Sequence, residues 1–283
     1  MKIWLHRVAQ WSVFPFLLGG GIVAARELMR AGVAVPLAVF GVLVLVSGLI
    51  HLLERALPYR SEWNRPDADV RTDLFHMVLA QMLMPRLLGP FWVALLSGAT
   101  GWLSERSGFI LWPQHWNLYA QLALALVIAE FFSYWLHRWE HEHPALWRFH
   151  AIHHSPNRLW WLNSGRSHPL EKAVMMLPEV LPFILLGAGR EVTALFFVAN
   201  GIIGLLQHCN INLRLGWLNY VFSLAEPHRW HHAREIAQSN TNYGSNLSVW
   251  DVVFGTFYLP KNKEVGALGV FNPEYPKTYS AQL

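Results

Sequence analysis

Cysteine is almost absent from this chain: Cys209 stands alone among 283 residues. Internal disulfides and thiolate metal clusters are thereby excluded, and a reducing, cytoplasm-facing interior fits. Charge is scarce too. Asp, Glu, Lys and Arg make up 14% of the residues, against about 25% in an average soluble domain. A chain that is 53% hydrophobic is not soluble throughout. The net charge of +4 comes without a basic run or a nucleic-acid motif. Nucleic acid is therefore not an expected partner, whereas anionic lipid headgroups are. There is no coiled coil, no low-complexity tail and no internal repeat beyond one doubled histidine motif. What abounds is tryptophan, with 15 residues, a composition suited to long membrane–water boundaries.

Residues 8–25 carry no charge between Arg7 and Arg26 and are long enough to cross a bilayer core. A second apolar run, 31–53, follows at once and no small-residue cleavage site stands out, so a span is expected rather than a signal peptide. Gly19, Gly20 and Gly21 favour close helix packing within it. Residues 54–73, with Arg55, Arg60, Arg65 and Arg71, read as a polar loop with a short interfacial helix. A third span is expected over 74–96, interrupted at Pro85-Arg86, and a short loop over 97–116. The fourth, about 117–136, leads straight into His137 and contains Glu130, a candidate functional residue because acids at that depth are costly. Two apolar segments, 173–189 and 192–207, are split at Gly187–Glu191, and the first contains Pro178 and Pro182. They read as a shallow hairpin or re-entrant element, since interior prolines make a poor straight helix. From 213 onward the chain is mixed and soluble-looking. The arginine-rich 54–73 loop and the histidine-rich region fall on one side, against Glu105 and Arg106 in the 97–116 loop, which predicts a cytoplasmic face for both.

Nine of the 15 histidines fall in four clusters: His137/His141, His150/His153/His154, His208, and His228/His231/His232. On a helix, positions i, i+3 and i+4 share a face, so each cluster aims its imidazoles together. Neutral imidazole is the commonest metal ligand near pH 7. Nine exceed what one first-row ion accepts, which points to two metals sharing the set. His6, His51, His76, His115 and His143 stand apart and read as ordinary core or surface residues. A zinc-protease motif needs His-Glu-x-x-His, whereas the order here is His137-Arg-Trp-Glu-His141. A di-iron carboxylate bundle needs paired Glu-x-x-His motifs, and only Glu140/His143 fits. Histidine, then, supplies the ligands. Glu140, Glu226 and Asp251 are candidates to orient the imidazoles from outside, although Asp251 equally suits a cap or turn.

In order and spacing, these clusters after four apolar spans resemble the fatty acid hydroxylase/sterol desaturase superfamily of membrane di-iron oxygenases. The flanking words match as well: Leu136-His-Arg, Phe149-His-Ala-Ile-His-His-Ser155, Arg166-Ser-His-Pro-Leu-Glu171, Asn242-Tyr-Gly244 and Phe254-Gly-Thr256. The resemblance covers roughly residues 117–260. It implies that the eight clustered histidines bind two iron ions, with zinc able to replace iron in purified protein, and that His208 joins them. The family's partner for His208 falls at position 212, which is Asn212 here. Asn212 is expected to ligate directly or through a water. His168, at the family's His-Pro position, is expected beside the ligands rather than among them.

The resulting expectation is an all-α integral membrane protein. Residues 1–136 would form about four transmembrane helices, and 137–283 a cytosolic helical cap with the apolar hairpin 173–207 embedded in it. The di-metal centre itself would be catalytic, hydroxylating a lipid-like substrate with O2. The chain has no haem, flavin or nicotinamide motif, so electrons would come from a separate electron-transfer protein. Desaturation shares the same site. A zinc-dependent membrane hydrolase is the alternative from another class, and a metal-storing membrane protein is a non-catalytic one. A greasy tunnel from the lipid to the metals is also expected, because the clusters begin where the fourth span ends.

Overall fold

The computed structural model describes residues 2–65, 69–89, 91 and 111–283. Among these the fold is all helical, with isolated bridges such as Pro58 with Ile211 and no strands. The helices are α1 (Lys2–Arg30), α2 (Val35–Ala56), α3 (Asp69–His76), α4 (Leu118–Glu142), α5 (Pro144–His154), α6 (Pro169–Leu186), α7 (Arg190–His208), α8 (Ala225–His231), α9 (Ile236–Ser239), α10 (Val249–Phe254) and α11 (Tyr279–Gln282). Four are long and apolar enough to cross a membrane: Arg7–Arg30, Val35–Ala56, Leu118–Glu142 and Arg190–His208.

Three of these four match expected spans, and α7 was expected only as half of a shallow hairpin. The segment expected as the third span opens with α3, whose Asp73 and His76 are wholly buried. A π-helical stretch, Met77–Leu83, follows, and the helix runs on to 89. The rest of that expected span, residues 92–96 among them, lies outside the described residues, as do Glu105 and Arg106. Helix α7 is the fourth of the described candidates. It has 19 residues, about 28 Å of helix at 1.5 Å per residue, and is the most deeply buried of the four.

Helix direction follows from the contacts at the two ends. Arg26 near the end of α1 meets Tyr119 at the start of α4 and Glu191 at the start of α7. At the other end the Gln10 carbonyl accepts from Arg214 N–H, and buried Glu54 accepts from the backbone N–H groups of Trp161 and Asn210. So α2, α4 and α7 all end where the histidines begin. Helix α7 packs against α1, α2, α4 and α8. Close approach needs small residues: a Cβ on Gly21 would strike Ile202, and one on Gly201 would strike Leu43, whereas Gly19 and Gly20 face open space. Asn117 caps α4 by accepting from Ala120 N–H at 2.9 Å. Helix α6 tolerates Pro178 and Pro182 and stops at Gly187, whose φ of 78° is the left-handed helix terminator.

The polar 54–73 region is anchored to the cap. Arg158 pairs with Asp69 at 2.7 Å, and buried Arg166 pairs with Asp73. Trp63 enters a small second core with Leu159, Trp230, Ala233, Val265 and Leu268. The C-terminal helix α11 docks on α3, where Gln282 Oε1 meets His76 Nε2 at 2.8 Å. His76 is thus a satisfied core histidine, as its isolation in the sequence implied.

Candidate metal centre

All nine expected ligands converge, in two groups. His137, His141, His150, His154 and His231 form one, and His153, His208, His228 and His232 the other. Within each group one nitrogen per ring lies within 4.8 Å of every other. The sequence spacing explains the split. On α5, His150 and His154 (i, i+4) share one face while His153 turns to the neighbouring one. On α8, His228 and His232 face the second group while His231 faces the first. His154 and His232 stack at 4.4 Å where the groups touch.

Hydrogen bonding fixes the tautomers. His137 Nδ1 donates to the Tyr243 carbonyl (2.6 Å), His231 Nδ1 to the Thr241 carbonyl (2.8 Å) and His153 Nδ1 to the Arg166 carbonyl (3.0 Å). A carbonyl only accepts, so each Nδ1 carries the hydrogen and each Nε2 is bare. His150 Nδ1 donates to Glu171 Oε1 at 2.6 Å, and His208 Nδ1 to Asn163 Oδ1 at 2.9 Å. His141 Nδ1 lies 3.2 Å from Asn240 Oδ1.

Bare nitrogens then face one another. Nε2 of His137 is 3.0 Å from that of His231 and 3.1 Å from that of His150. In the second group Nε2 of His228 is 3.0 Å from those of His208 and His232, and of these three rings only His208 has its tautomer fixed by an Nδ1 acceptor. Two lone pairs at that distance repel, and no hydrogen lies between His137 and His231 to bridge them. A cation between them reverses the sign. Metal–nitrogen bonds of about 2.0–2.1 Å put ligands at right angles roughly 2.9 Å apart, close to what is seen. The donor set therefore fits a metal in each group. Burial, and next the neighbouring imidazoles, hold His150, His154, His228, His231 and His232 well below the ordinary histidine pKa of 6.5. Burial lowers His153 too. These rings stay neutral and ready to ligate.

Of the expected orienting residues, Glu140 is placed closest: its Oε2 is 3.5 Å from His150 Nδ1. Glu171, which sequence reasoning did not single out, is nearer. It also accepts from Ser167 Oγ and from His168 N–H, both at 3.0 Å. The reciprocal bond, Leu170 N–H to His168 Nδ1, makes this a capping box at the start of α6. His168 therefore acts on the site only by fixing Glu171, and the His-x-x-Glu spacing was the readable signal. Asp251 accepts from the backbone N–H groups of Tyr243 and Gly244 and from Thr256 Oγ1. It is a turn acid, and it positions the Tyr243 carbonyl that holds His137. Glu130 ties the same loop to α4 by accepting from the backbone N–H groups of Ser245 and Asn246.

Two expectations fail. Glu226 accepts from Leu215 N–H and Asn219 Nδ2, so it braces a loop and no imidazole. Asn212 was placed one helical turn beyond His208, but α7 ends at His208. The chain is extended there, and Asn212 N–H donates to the Leu57 carbonyl at 2.9 Å. The residue holding His208 is Asn163, delivered by the 3-10 turn Trp161–Gly165, which carries no spacing signal.

A cavity of about 100 Å³ reaches imidazoles of both groups, His137 and His150 on one side and His153 and His228 on the other. Its remaining wall includes Gln81, Ser164, Lys172, Met175, Gln207 and Ser245. The wall beside the histidines thus mixes polar groups with a larger apolar surface. A larger, shallow depression at Arg7, Val8, Trp11 and Ser12 lies on α1, away from this chemistry.

A model of the fatty acid hydroxylase family matches residues 122–256. The chain is 37% identical over 283 residues to an ornithine lipid hydroxylase of Rhizobium tropici, covering 99% of this chain and 84% of that protein. It is 28% identical over 170 residues to a human alkylglycerol monooxygenase, covering 59% of this chain and 36% of that protein. It is 29% identical over 150 residues to a Delta(7)-sterol 5(6)-desaturase of Gibberella zeae, covering 53% of this chain and 41% of that protein. This chain thus spans less than half the length of these last two relatives. No solved structure matches. Family model, full-length relative and histidine geometry agree: the chain belongs to the fatty acid hydroxylase/sterol desaturase superfamily.

Proposed function

We propose that this chain is a membrane-embedded di-iron hydroxylase that inserts oxygen from O2 into a lipid. The observation that carries the reading is the convergence of imidazole nitrogens in two adjoining groups of five and four, with the bare Nε2 atoms of His137 and His231 facing each other in the first. The coarser reading, a lipid-modifying oxygenase, has the support of relatives named as lipid hydroxylase, monooxygenase and desaturase. An amino-acid lipid is the substrate class to try first, because the full-length relative is named for one.

Iron held by such a set supplies O2 activation when bound. His137, His141, His150, His154 and His231 would hold one ion, and His153, His208, His228 and His232 the other. The rest is the protein's part. Glu171 and the Tyr243, Thr241 and Arg166 carbonyls lock ring rotation and tautomer. The cavity between the groups brings the lipid to both. One C–H bond becomes C–OH, the second oxygen atom leaves as water, and two electrons and two protons enter. A separate electron-transfer protein supplies the electrons. The histidine end faces the cytoplasm in this reading, because Arg55, Arg60 and Arg158 cluster there. Residues 1–136 would then be mainly the membrane part and 137–283 the catalytic part, with α7 returning into the bundle.

The test is metal content and O2 use on one sample. Protein purified in nanodiscs is expected to hold two metal ions per chain and, with iron and a reductant, to consume O2 while adding 16 mass units to a lipid. Lipid cleavage with zinc and no O2 uptake would instead establish a hydrolase. Bound metal with no reaction on any lipid would point to storage.

A further inference from the structure

Charge is nearly absent from the α6–α7 hairpin beyond its first turn. Between residues 173 and 189 the only ionisable side chain is Glu179. Lys172, buried to 9% exposure, stretches two helical turns along α6 to reach it. Nζ lies 3.3 and 3.4 Å from the two Glu179 oxygens, long for a charge-assisted bond of about 2.7–2.9 Å. Asn200 on α7 offers its Nδ2 to the same carboxylate at 3.5 Å. An ion pair among apolar helices costs desolvation energy and marks a functional site more often than a structural one. Lys172 also lines the cavity at the metals. The other cation there, Arg166, is already bound to Asp73 and Ser155. Lys172 has a loose partner that a ligand can displace.

We propose that Lys172, Glu179 and Asn200 form a headgroup subsite for a zwitterionic lipid, in which Lys172 takes the acidic group and Glu179 the ammonium. This rests on the lipid-hydroxylase reading and narrows its substrate. Without ligand the two charges neutralise each other. A purely anionic lipid drawing Lys172 away would strand Glu179, and a cationic lipid drawing Glu179 away would strand Lys172. A headgroup carrying both charges satisfies both residues. Because Lys172 lines the same cavity as His150 and His153, its end of the headgroup lies beside the histidines. The carbon presented to the metals then belongs to the headgroup or its immediate neighbours, not to the distal acyl chain.

The experiment gives nanodisc-reconstituted wild-type protein four lipids: an N-acyl-ornithine lipid, its carboxyl methyl ester, its N-acetylated form and phosphatidylethanolamine. The parent is expected to exceed either blocked form by at least roughly tenfold in kcat/KM, with the new oxygen on the headgroup by fragmentation mass spectrometry. Comparable turnover of phosphatidylethanolamine would make phosphate an equal acid for Lys172, and its rejection would narrow the subsite to carboxylates. Lys172→Met should erase the penalty for the methyl ester alone, and Glu179→Gln the penalty for N-acetylation alone. Metal content and thermal midpoint are read on each sample. If single variants fail to fold, the double variant removes the pair together, which buried pairs tolerate better, and should lose both preferences. Equal turnover of parent and blocked forms, or oxygen on the acyl chain, overturns the subsite but leaves the hydroxylase reading standing. No oxidation of any lipid by metal-loaded protein overturns that reading and the subsite with it.

Discussion

Within the five-histidine group, His137, His141, His150 and His231 each direct Nδ1 to a protein acceptor. In the four-histidine group only His153 and His208 do so. Nδ1 of His228 and of His232 is buried and meets no acceptor among the described residues. The first group also has two carboxylates, Glu140 and Glu171, at His150, whereas among the described residues no carboxylate bonds a ring of the second, which feels Glu171 only through its charge at His153. An acceptor on Nδ1 fixes ring rotation and raises the basicity of Nε2. The first group is therefore shaped by the protein before any metal arrives, and the second is shaped more by the metal itself. The second should hold its ion less tightly and reorganise more easily.

The largest effect should come from taking a ligand from the weaker group. His208→Ala leaves three imidazoles there and is expected to halve the metal content, to about one ion per chain, and to stop lipid oxidation. His141→Ala leaves four in the stronger group, and its Nδ1 bond, 3.2 Å to Asn240, is the longest of the four acceptor bonds there. It should keep most of its metal and lose less activity. Metal analysis by mass spectrometry reads both, and equal metal loss in the two variants would remove the distinction between the groups.

Next in size are the acceptors. Glu171→Gln keeps the shape but removes the charge that holds His150, and Asn163→Leu removes the acceptor for His208. Loss of such an outer partner typically costs about 10–100-fold in metal affinity or activity. Each should speed chelator-driven release of one ion only, and of different ions. Two phases of release, each accelerated by one of the variants, is the expected record. A single phase accelerated by both would mean that the two ions are bound as one unit.

A smaller effect concerns acid. Six ligands outside the spans, His150, His153, His154, His228, His231 and His232, have folded pKa values lowered below 6.5 by burial. Below that value the unfolded chain binds protons that the folded chain refuses, so stability falls as pH falls through about 6.5 and recovers above it. The thermal midpoint of metal-free protein should drop steeply between pH 7.5 and 5.5. Replacing His228 and His232 together by Gln should flatten that slope, and an unchanged slope would show that these rings are already accessible to protons.

How much of this was legible beforehand divides along the same line. The ligands could be read because helical spacing makes a face from sequence, and i, i+3, i+4 histidines announce it. Eight of the nine converging histidines were read that way, together with the all-helical class, while His208 came from the family resemblance. The acceptors were mostly hidden because they are backbone carbonyls of Arg166, Thr241 and Tyr243, and a carbonyl has no sequence signature. Glu171 sat in a quoted word and was missed because its role depends on α6 starting at Pro169. Helix α7 was read as half of a shallow hairpin because Arg190 and Glu191 at its start and the prolines of α6 interrupt the apolar run. Its packing against α1, α2 and α4 is a tertiary fact.

The smallest expected effect bears on the comparison most directly. Were Asn212 the fifth ligand of the second group, the two groups would match in number and the asymmetry would rest on acceptors alone. The backbone argues against it. Helix α7 stops at His208, Asn212 is half-buried in extended chain, and its N–H is bound to Leu57. Asn212→Ala should then leave metal content unchanged and lipid oxidation within about twofold of wild type, as for most substitutions away from core, cap or network. Asn212→His gives the same answer from the other side, because an imidazole at a position that does not face the group adds no ligand. If the alanine variant instead lost one ion while the histidine variant bound it more tightly, position 212 would belong to the metal and the second group would have five ligands like the first.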